Sequence, residues 1–372
     1  MILQKYTDWL LKNSKAIYGI WAMILLLTLP GLAQLWINSD YRSNFAADNP
    51  QLLDMEKMQE YFPSDDNLVI AVHAKKDNNV FTQETLATIA KLTDELSSLP
   101  HFLQVHSITN YNYIEDKNDE IVVKQPLMNP DTLSPEMLKK WQEIYIKEPA
   151  LQNRLLSQSG NATVICATFS LPKQATESMH IIHQQAKKII EDANAKNENL
   201  DFYLSGTITG NESFMEATRA DLMTLIPLSY GLIFLIIFFF VGSWYNLLVI
   251  YLSLTISILI TLGIKGWFYP GITANDAFAP TAIMIIAVSD FIHIFDGIMH
   301  QKSLHKNQAI AVSKAVQINF VPIVMTNVTT AIGMFCLNFN ESPTIAAFGN
   351  LVGLGVFVAM LLSLTLVPHL LS

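Results

Sequence analysis

Asp290 and His293 are the residues whose types and spacing could do chemistry that their surroundings would otherwise forbid. Both lie in the apolar run 277–299 (Ala277-Phe-Ala-Pro-Thr-Ala-Ile-Met-Ile-Ile-Ala-Val-Ser-Asp-Phe-Ile-His-Ile-Phe-Asp-Gly-Ile-Met299), which exceeds the roughly 20 residues a helix needs to cross hydrocarbon. A carboxylate at that depth costs several kcal/mol unless it is paired, hydrated or protonated. On an ideal helix Asp290 stands about 20 Å from the outer end of the run, slightly past the midplane. So short a side chain reaches neither interface. His293 follows one turn later on nearly the same face. A low-dielectric environment favours the neutral forms of carboxyl and imidazole alike, which is the condition for reversible protonation. The chemistry is proton uptake and release, with the proton as coupling ion and no other cofactor.

A buried carboxyl demands partners. Ser289 is the same-helix candidate beside His293, and a second apolar run supplies Thr326-Asn-Val-Thr-Thr330, also near mid-membrane. If the two helices are antiparallel neighbours, Thr326, Asn327, Thr329 and Thr330 form a hydroxyl and amide cluster able to hydrogen-bond the carboxyl in either protonation state. Asp296 and His300 continue the polar series, although Asp296 is rotated about 120° from Asp290. The competing reading makes Asp290 a permanently neutral hydrogen-bond donor that locks helices together.

The elements that must position these residues are legible as blocks. The chain has 372 residues, 51% hydrophobic against 15% charged. Six apolar blocks have spanning length: about 16–37, 222–241, 245–264, 277–299, 318–337 and 344–371. The third to fifth are the least uniformly apolar, which suits helices inside a bundle. The first block is too long for a signal-peptide core and lacks a small-x-small cleavage site, so it reads as an uncleaved span. Lys5, Lys12 and Lys15 precede it, and Lys302, Lys306 and Lys314 occupy the loop 300–317. With six spans both segments fall on one side. By the positive-inside rule the N-terminus, that loop and the C-terminus are cytoplasmic. Gly349, Gly353 and Gly355 read as close-packing positions, and Pro227, Pro280 and Pro322 as points of kinking or helix ends.

The organisation is then residues 1–37 as tail and first span, 38–221 as an extracytoplasmic domain, and 222–372 as a five-helix bundle. The net charge of −9 sits mainly in the domain, at Ser64-Asp-Asp66, Glu115-Asp116 and Asp119-Glu120; such runs are solvated surface and disfavour nucleic acid as a partner. Within the domain, 67–73, 102–108, 162–171 and 200–204 have the composition of strands, whereas 81–99 and 177–195 have helical spacing. Two strand-helix-strand units in tandem predict an α+β, ferredoxin-like arrangement. A further helix is expected over 135–157, with Leu138, Trp141, Ile144 and Tyr145 as core. His180 and His183, three apart on a helix, could share a metal, but a solvated face is the simpler reading. Cys166 and Cys336 belong to different regions and form no disulfide framework. No Gly-x-Ser-x-Gly, phosphate loop or metal-ligand spacing is present, so an enzymatic role is not expected.

One span, a large domain and five clustered spans resemble one half of a resistance-nodulation-division (RND) transporter, in the exporter branch that includes MMPL-type lipid transporters. Val288-Ser-Asp-Phe-Ile-His-Ile294 is similar to the family's fourth-span motif, and Val321-Pro-Ile-Val-Met-Thr-Asn-Val-Thr-Thr-Ala-Ile-Gly333 to its fifth-span pattern. Ala347-Phe-Gly-Asn350 and Ser363-Leu-Thr-Leu-Val-Pro-His-Leu-Leu371 resemble the opening and close of the sixth. The resemblance implies a transporter of hydrophobic or lipid-like substrates in a bacterial inner membrane, driven by the proton-motive force, with a periplasmic porter-type domain. It implies Asp290 as proton carrier, His293 as its neighbour, and Thr326, Thr329 and Thr330 as the surrounding polar shell. Asp296-Gly-Ile-Met-His300 departs from the family's ending of that span. Because family members have two tandem halves, a second six-helix half is expected: a copy of this chain, a separate chain, or a C-terminal continuation. Membrane lipids are the other expected partner. The alternatives in the same architecture are a non-transporting lipid or sterol sensor and a translocation accessory like SecD and SecF.

Overall fold

Long helices that are apolar all round and short strands that alternate bury their apolar residues differently, and the chain separates accordingly into two units. One is Met1–Ala47 with Met215–Ser372, the other Asp48–Phe214. The computed structural model describes residues 2–38, 40–62, 66–75, 78–117, 120–171 and 176–371. Ser64, Asp65 and Asp119 of the acidic clusters lie outside the described residues.

In the Asp48–Phe214 unit, four antiparallel strands lie side by side in the order Phe102–His106, Ala162–Phe169, Asn67–Ala74, Leu200–Ser205. Each helix connects two strands that run the same way with a strand of the other strand-helix-strand unit between them. Every second residue of the two central strands is buried, as a period of two requires when one face is covered. The cover is the helix Gln83–Ser97, through Leu86, Ile89, Leu92 and Leu96, and the helix Thr176–Lys196, through Ile182, Ala186, Ile190 and Ala193. Thr82 starts the first of these helices by accepting a hydrogen bond from the Thr85 amide at 3.2 Å.

Two expectations change in this unit. The helix from Pro135 ends at Lys147 instead of continuing to 157. Glu148 precedes Pro149, whose ring disfavours helical backbone at the residue before it. Leu138 and Tyr145 are buried and Trp141 and Ile144 pack beside them, so the stripe is ordinary core. The acidic segments Glu115-Asp116 and Glu120 fall on a two-stranded antiparallel sheet, Tyr113–Lys117 with Glu120–Lys124. Their charges mask the alternation of Ile114, Ile121 and Val123.

The last strand turns into the following helix at Gly206, whose φ is +105°. A Cβ there would stand 2.6 Å from the Asn67 carbonyl oxygen, where Asn67 and Thr207 exchange hydrogen bonds of 2.8 and 3.1 Å. Gly206→Ala should therefore destabilise the chain by about 1–3 kcal/mol, the usual cost of a strained backbone position. The check is a lowered thermal unfolding midpoint of the purified protein.

In the other unit, six helices are long and apolar enough to cross a membrane: Ser14–Leu32, Thr207–Val241, Trp244–Phe268, Asp276–Leu304, Gln308–Phe339 and Pro343–Leu370. The first stops earlier than its apolar block because Trp36 and Ile37 leave the helix and pair in parallel with Gly271 and Ile272. The second starts earlier than its block, its polar first turns belonging to the other unit. Burial departs from expectation in part. The apolar windows of the third and fourth helices are 56% and 44% buried, as their less uniform composition suggested, but that of the fifth is only 17% buried and that of the sixth 78%, so the sixth forms the centre and the polar fifth lies outside. Glycines explain the sixth helix's place: a Cβ at Gly349, Gly353 or Gly355 would press on Met334 and Leu337, the Phe335 ring, or Ile283. The first and third helices meet with backbones in contact through Gly31, Gly263 and Gly266.

An amphipathic helix, Ile2–Lys12, precedes the first span. It is held to the fifth and sixth helices through Thr7, which accepts from Ser313 Oγ at 2.8 Å and Gln317 Nε2 at 3.0 Å, and through Tyr6, whose hydroxyl donates to the Leu364 carbonyl at 2.9 Å.

Candidate functional site

Two inward stripes make the site. On the fourth helix Ile283, Ala287, Asp290, Phe291, Ile294 and Ile298 are buried, a spacing of three and four that lines one face. On the fifth, Ile323, Asn327 and Ala331 are buried at a spacing of four. The two helices pack together, and the one polar residue on each stripe meets the other. Asn327 Nδ2 donates to Asp290 Oδ2 at 2.7 Å and to its own helix at the Ile323 carbonyl, 2.8 Å away. Asp290 is 4% exposed and Asn327 1%. The Asn327 Oδ1 is buried and has no hydrogen-bond partner. Among the described residues no Lys or Arg pairs with Asp290.

The rest of the expected cluster is not assembled around the carboxyl. Thr326 Oγ1 donates to the Pro322 carbonyl, Thr329 Oγ1 to Met325 and Thr326, and Thr330 Oγ1 to Thr326. Each threonine hydroxyl is satisfied by its own helix. Rotation explains this: at about 100° per residue, Thr326 and Thr329 cannot share the inward stripe with Asn327, and Thr330 sits at its edge. Ser289, one residue before Asp290, is likewise turned outward and exposed. So are His293, Asp296 and His300. These four positions fall within about 60° of one another on a helix, so the fourth helix carries two polar faces: a buried carboxyl and an exposed polar stripe.

A buried ion pair was not anticipated. Lys265, in the last turn of the third helix, lies 3.1 Å from Asp276 at the start of the fourth, and both side chains are almost fully buried. Asp276 also accepts from the Thr273 amide and hydroxyl, each at 3.0 Å. Two opposite charges flanking the Pro270-Gly271 turn were the available sequence signal. In the other unit, His180 Nδ1 lies 2.8 Å from the buried Glu212 Oε2. Among the described residues no group of three or more His, Cys, Asp or Glu could hold a metal ion, and His183 is buried at 6% exposure, which corrects the expectation of a solvated face at that position.

Six apolar helices of spanning length, two of them joined by a buried carboxyl-amide contact, mark a multi-pass membrane protein. The fold is similar to the crystal structure of a heavy metal efflux pump, with a TM-score of 0.52 and 11% sequence identity. The match covers 97% of this chain and 48% of that pump, so the chain spans about half the pump's length. The chain belongs to the MMPL family, whose model matches residues 44–372. No curated protein matches it in sequence.

Proposed function

We propose that the chain is one half of a proton-motive-force-driven RND-type exporter of hydrophobic or lipid-like substrates, with Asp290 as the proton carrier. The observation that carries this reading is the contact of Asp290 with Asn327, across two helices and about 17 Å along the fourth from Ala279 at 1.5 Å per residue. A carboxylate with one amide partner and no paired Lys or Arg is poorly compensated in hydrocarbon. The amide suits both protonation states: its N–H groups donate to a carboxylate, and its unpartnered Oδ1 can accept from a carboxylic acid after the amide turns over.

The partner is a second six-helix half. The exposed stripe Ser289, His293, Asp296 and His300, with Thr326 and Thr329 on the little-buried fifth helix, is too polar to face lipid. A second bundle would cover it and give His293 and Asp296 a place beside the proton path. In this reading the strand order of the Asp48–Phe214 unit supports a ferredoxin-like, porter-type domain on the periplasmic side. The N-terminal helix and the loop 300–317 then face the cytoplasm of an inner membrane.

The test is export of a fluorescent lipid analogue from proteoliposomes under an imposed pH gradient. Uptake or release that follows the sign of the gradient supports the proposal. Ligand binding without gradient-driven movement sinks it and favours a sensor. In parallel, mass measurement of the detergent-solubilised protein should find two six-helix halves per particle.

A further inference from the structure

The third and sixth helices do not close against each other at the end of the bundle where the third stops and the sixth starts. A cavity of about 550 Å³ opens between them, lined by Ile264, Lys265 and Phe268 on one side and Ala346, Ala347 and Leu354 on the other. Its size falls in the range of small-molecule sites, roughly 300–1,000 Å³. Ala346 and Ala347 create it, because methyl side chains leave space that larger neighbours such as Leu351 would fill. Phe268 and Tyr269 stand exposed at its rim.

We propose that this groove holds a phospholipid of the surrounding membrane, with one acyl chain in the groove and the phosphate at Lys265. The medium decides the class of occupant: an apolar groove on membrane-crossing helices opens into hydrocarbon, where water gains no partners and an acyl chain restores lost packing contacts. The length decides the rest. From Pro343 to Leu354 the sixth helix rises about 16 Å at 1.5 Å per residue, close to the half-thickness of a bilayer core of about 30 Å. The sixth-helix wall of the groove therefore runs the depth of one leaflet, and the third-helix wall, from Ile264 to Phe268, covers about 6 Å of it at the outer end. Its polar end has one cation and, among the described lining residues, no carboxylate. Lys265 sits one turn from the helix end, at headgroup depth, and its ammonium has three donors. Asp276 takes one of them, and the others suit phosphate oxygens. The Asp276 contact pre-positions that ammonium, since Asp276 is itself held by the Thr273 amide and hydroxyl. This site is separate from the Asp290 contact and does not depend on proton coupling there.

The experiment uses the full chain in nanodiscs containing phosphatidylglycerol with a diazirine in the middle of one acyl chain, followed by peptide mapping of the photo-adducts. Adducts should concentrate on 264–269 and 343–354. Diacylglycerol with the same diazirine chain should label those peptides about tenfold less, the effect of losing one charge-assisted contact. Ala347→Trp, which fills the groove, should remove the adducts there while leaving those on exposed residues of the second helix such as Phe239 and Phe240. Adducts spread evenly over the exposed faces would overturn the proposal in favour of annular lipid only. Equal labelling by diacylglycerol, or labelling indifferent to Ala347→Trp, would do the same. A zero-length cross-link between the groove residues of two chains would assign it instead to a second copy. If Ala347→Trp fails to fold, the adduct map and the diacylglycerol comparison on the native chain decide the matter alone. Because the Asp290→Asn chain should retain the groove adducts, failure of this inference and failure of proton coupling are separately visible.

Discussion

Asp290→Asn should leave a folded, membrane-inserted chain whose gradient-driven flux falls by about 100-fold or more, the size of effect expected when a proton-transfer group is removed. The substitution keeps the volume and one hydrogen-bonding oxygen, so the contact with Asn327 survives in altered form. It also removes a charge from a site that no Lys or Arg pairs with, so stability should stay level or rise by about 1 kcal/mol. That pairing of unchanged stability with lost flux separates a proton carrier from a structural hydrogen bond. Should the locking role be the true one, flux persists and the thermal midpoint falls. Asn327→Leu should lose both. It leaves the buried carboxyl without the Asn327 donor, a loss of about 1–3 kcal/mol, and flux should fall with it. Thr326→Val is the informative control. Its hydroxyl bonds the Pro322 carbonyl, so flux should change little unless a second half touches that face.

Gly266→Leu should be the most damaging single change to folding. A Cβ at Gly266 would collide with the Gly31 carbonyl, one at Gly31 with Gly263, and one at Gly263 with the Thr28 carbonyl. The obstacles are backbone atoms in two helices, which cannot turn aside as a side chain can. Overpacking of ordinary cores costs about 1–3 kcal/mol, and here the helices must separate, so about 3 kcal/mol or more is expected. Separation would also break the Trp267 Nε1 hydrogen bond to the Leu27 carbonyl, 2.9 Å long, and strain the short parallel pairing beyond it. Thermal melting with size-exclusion profiles would register a lower midpoint and aggregation. Gly19→Ala, where nothing lies within 4 Å, should be neutral or slightly stabilising.

The two groups of glycines also show why part of the molecule was not legible from the chain. Gly349, Gly353 and Gly355 read correctly as packing positions because they cluster in one helix. Gly31, Gly263 and Gly266 belong to separate blocks, and only the crossing of the first and third helices makes them one contact. The strand-helix-strand succession of the Asp48–Phe214 unit was readable because period two and period 3.6 are local properties. The sheet Tyr113–Lys117 with Glu120–Lys124 was missed because its charged residues outweigh its alternation.

The candidate site divides along the same line. Composition and spacing alone determined six apolar blocks of spanning length and a carboxylate at membrane depth within one of them, since both facts depend only on residue type and on rise per residue. Only the tertiary structure decided which of Thr326, Asn327, Thr329 and Thr330 meets that carboxylate, and it selected Asn327 alone. The physical reason is rotational. A stretch of five residues winds more than once around a helix, so sequence proximity places a side chain at the right depth, while the packing of two particular helices settles which one faces inward.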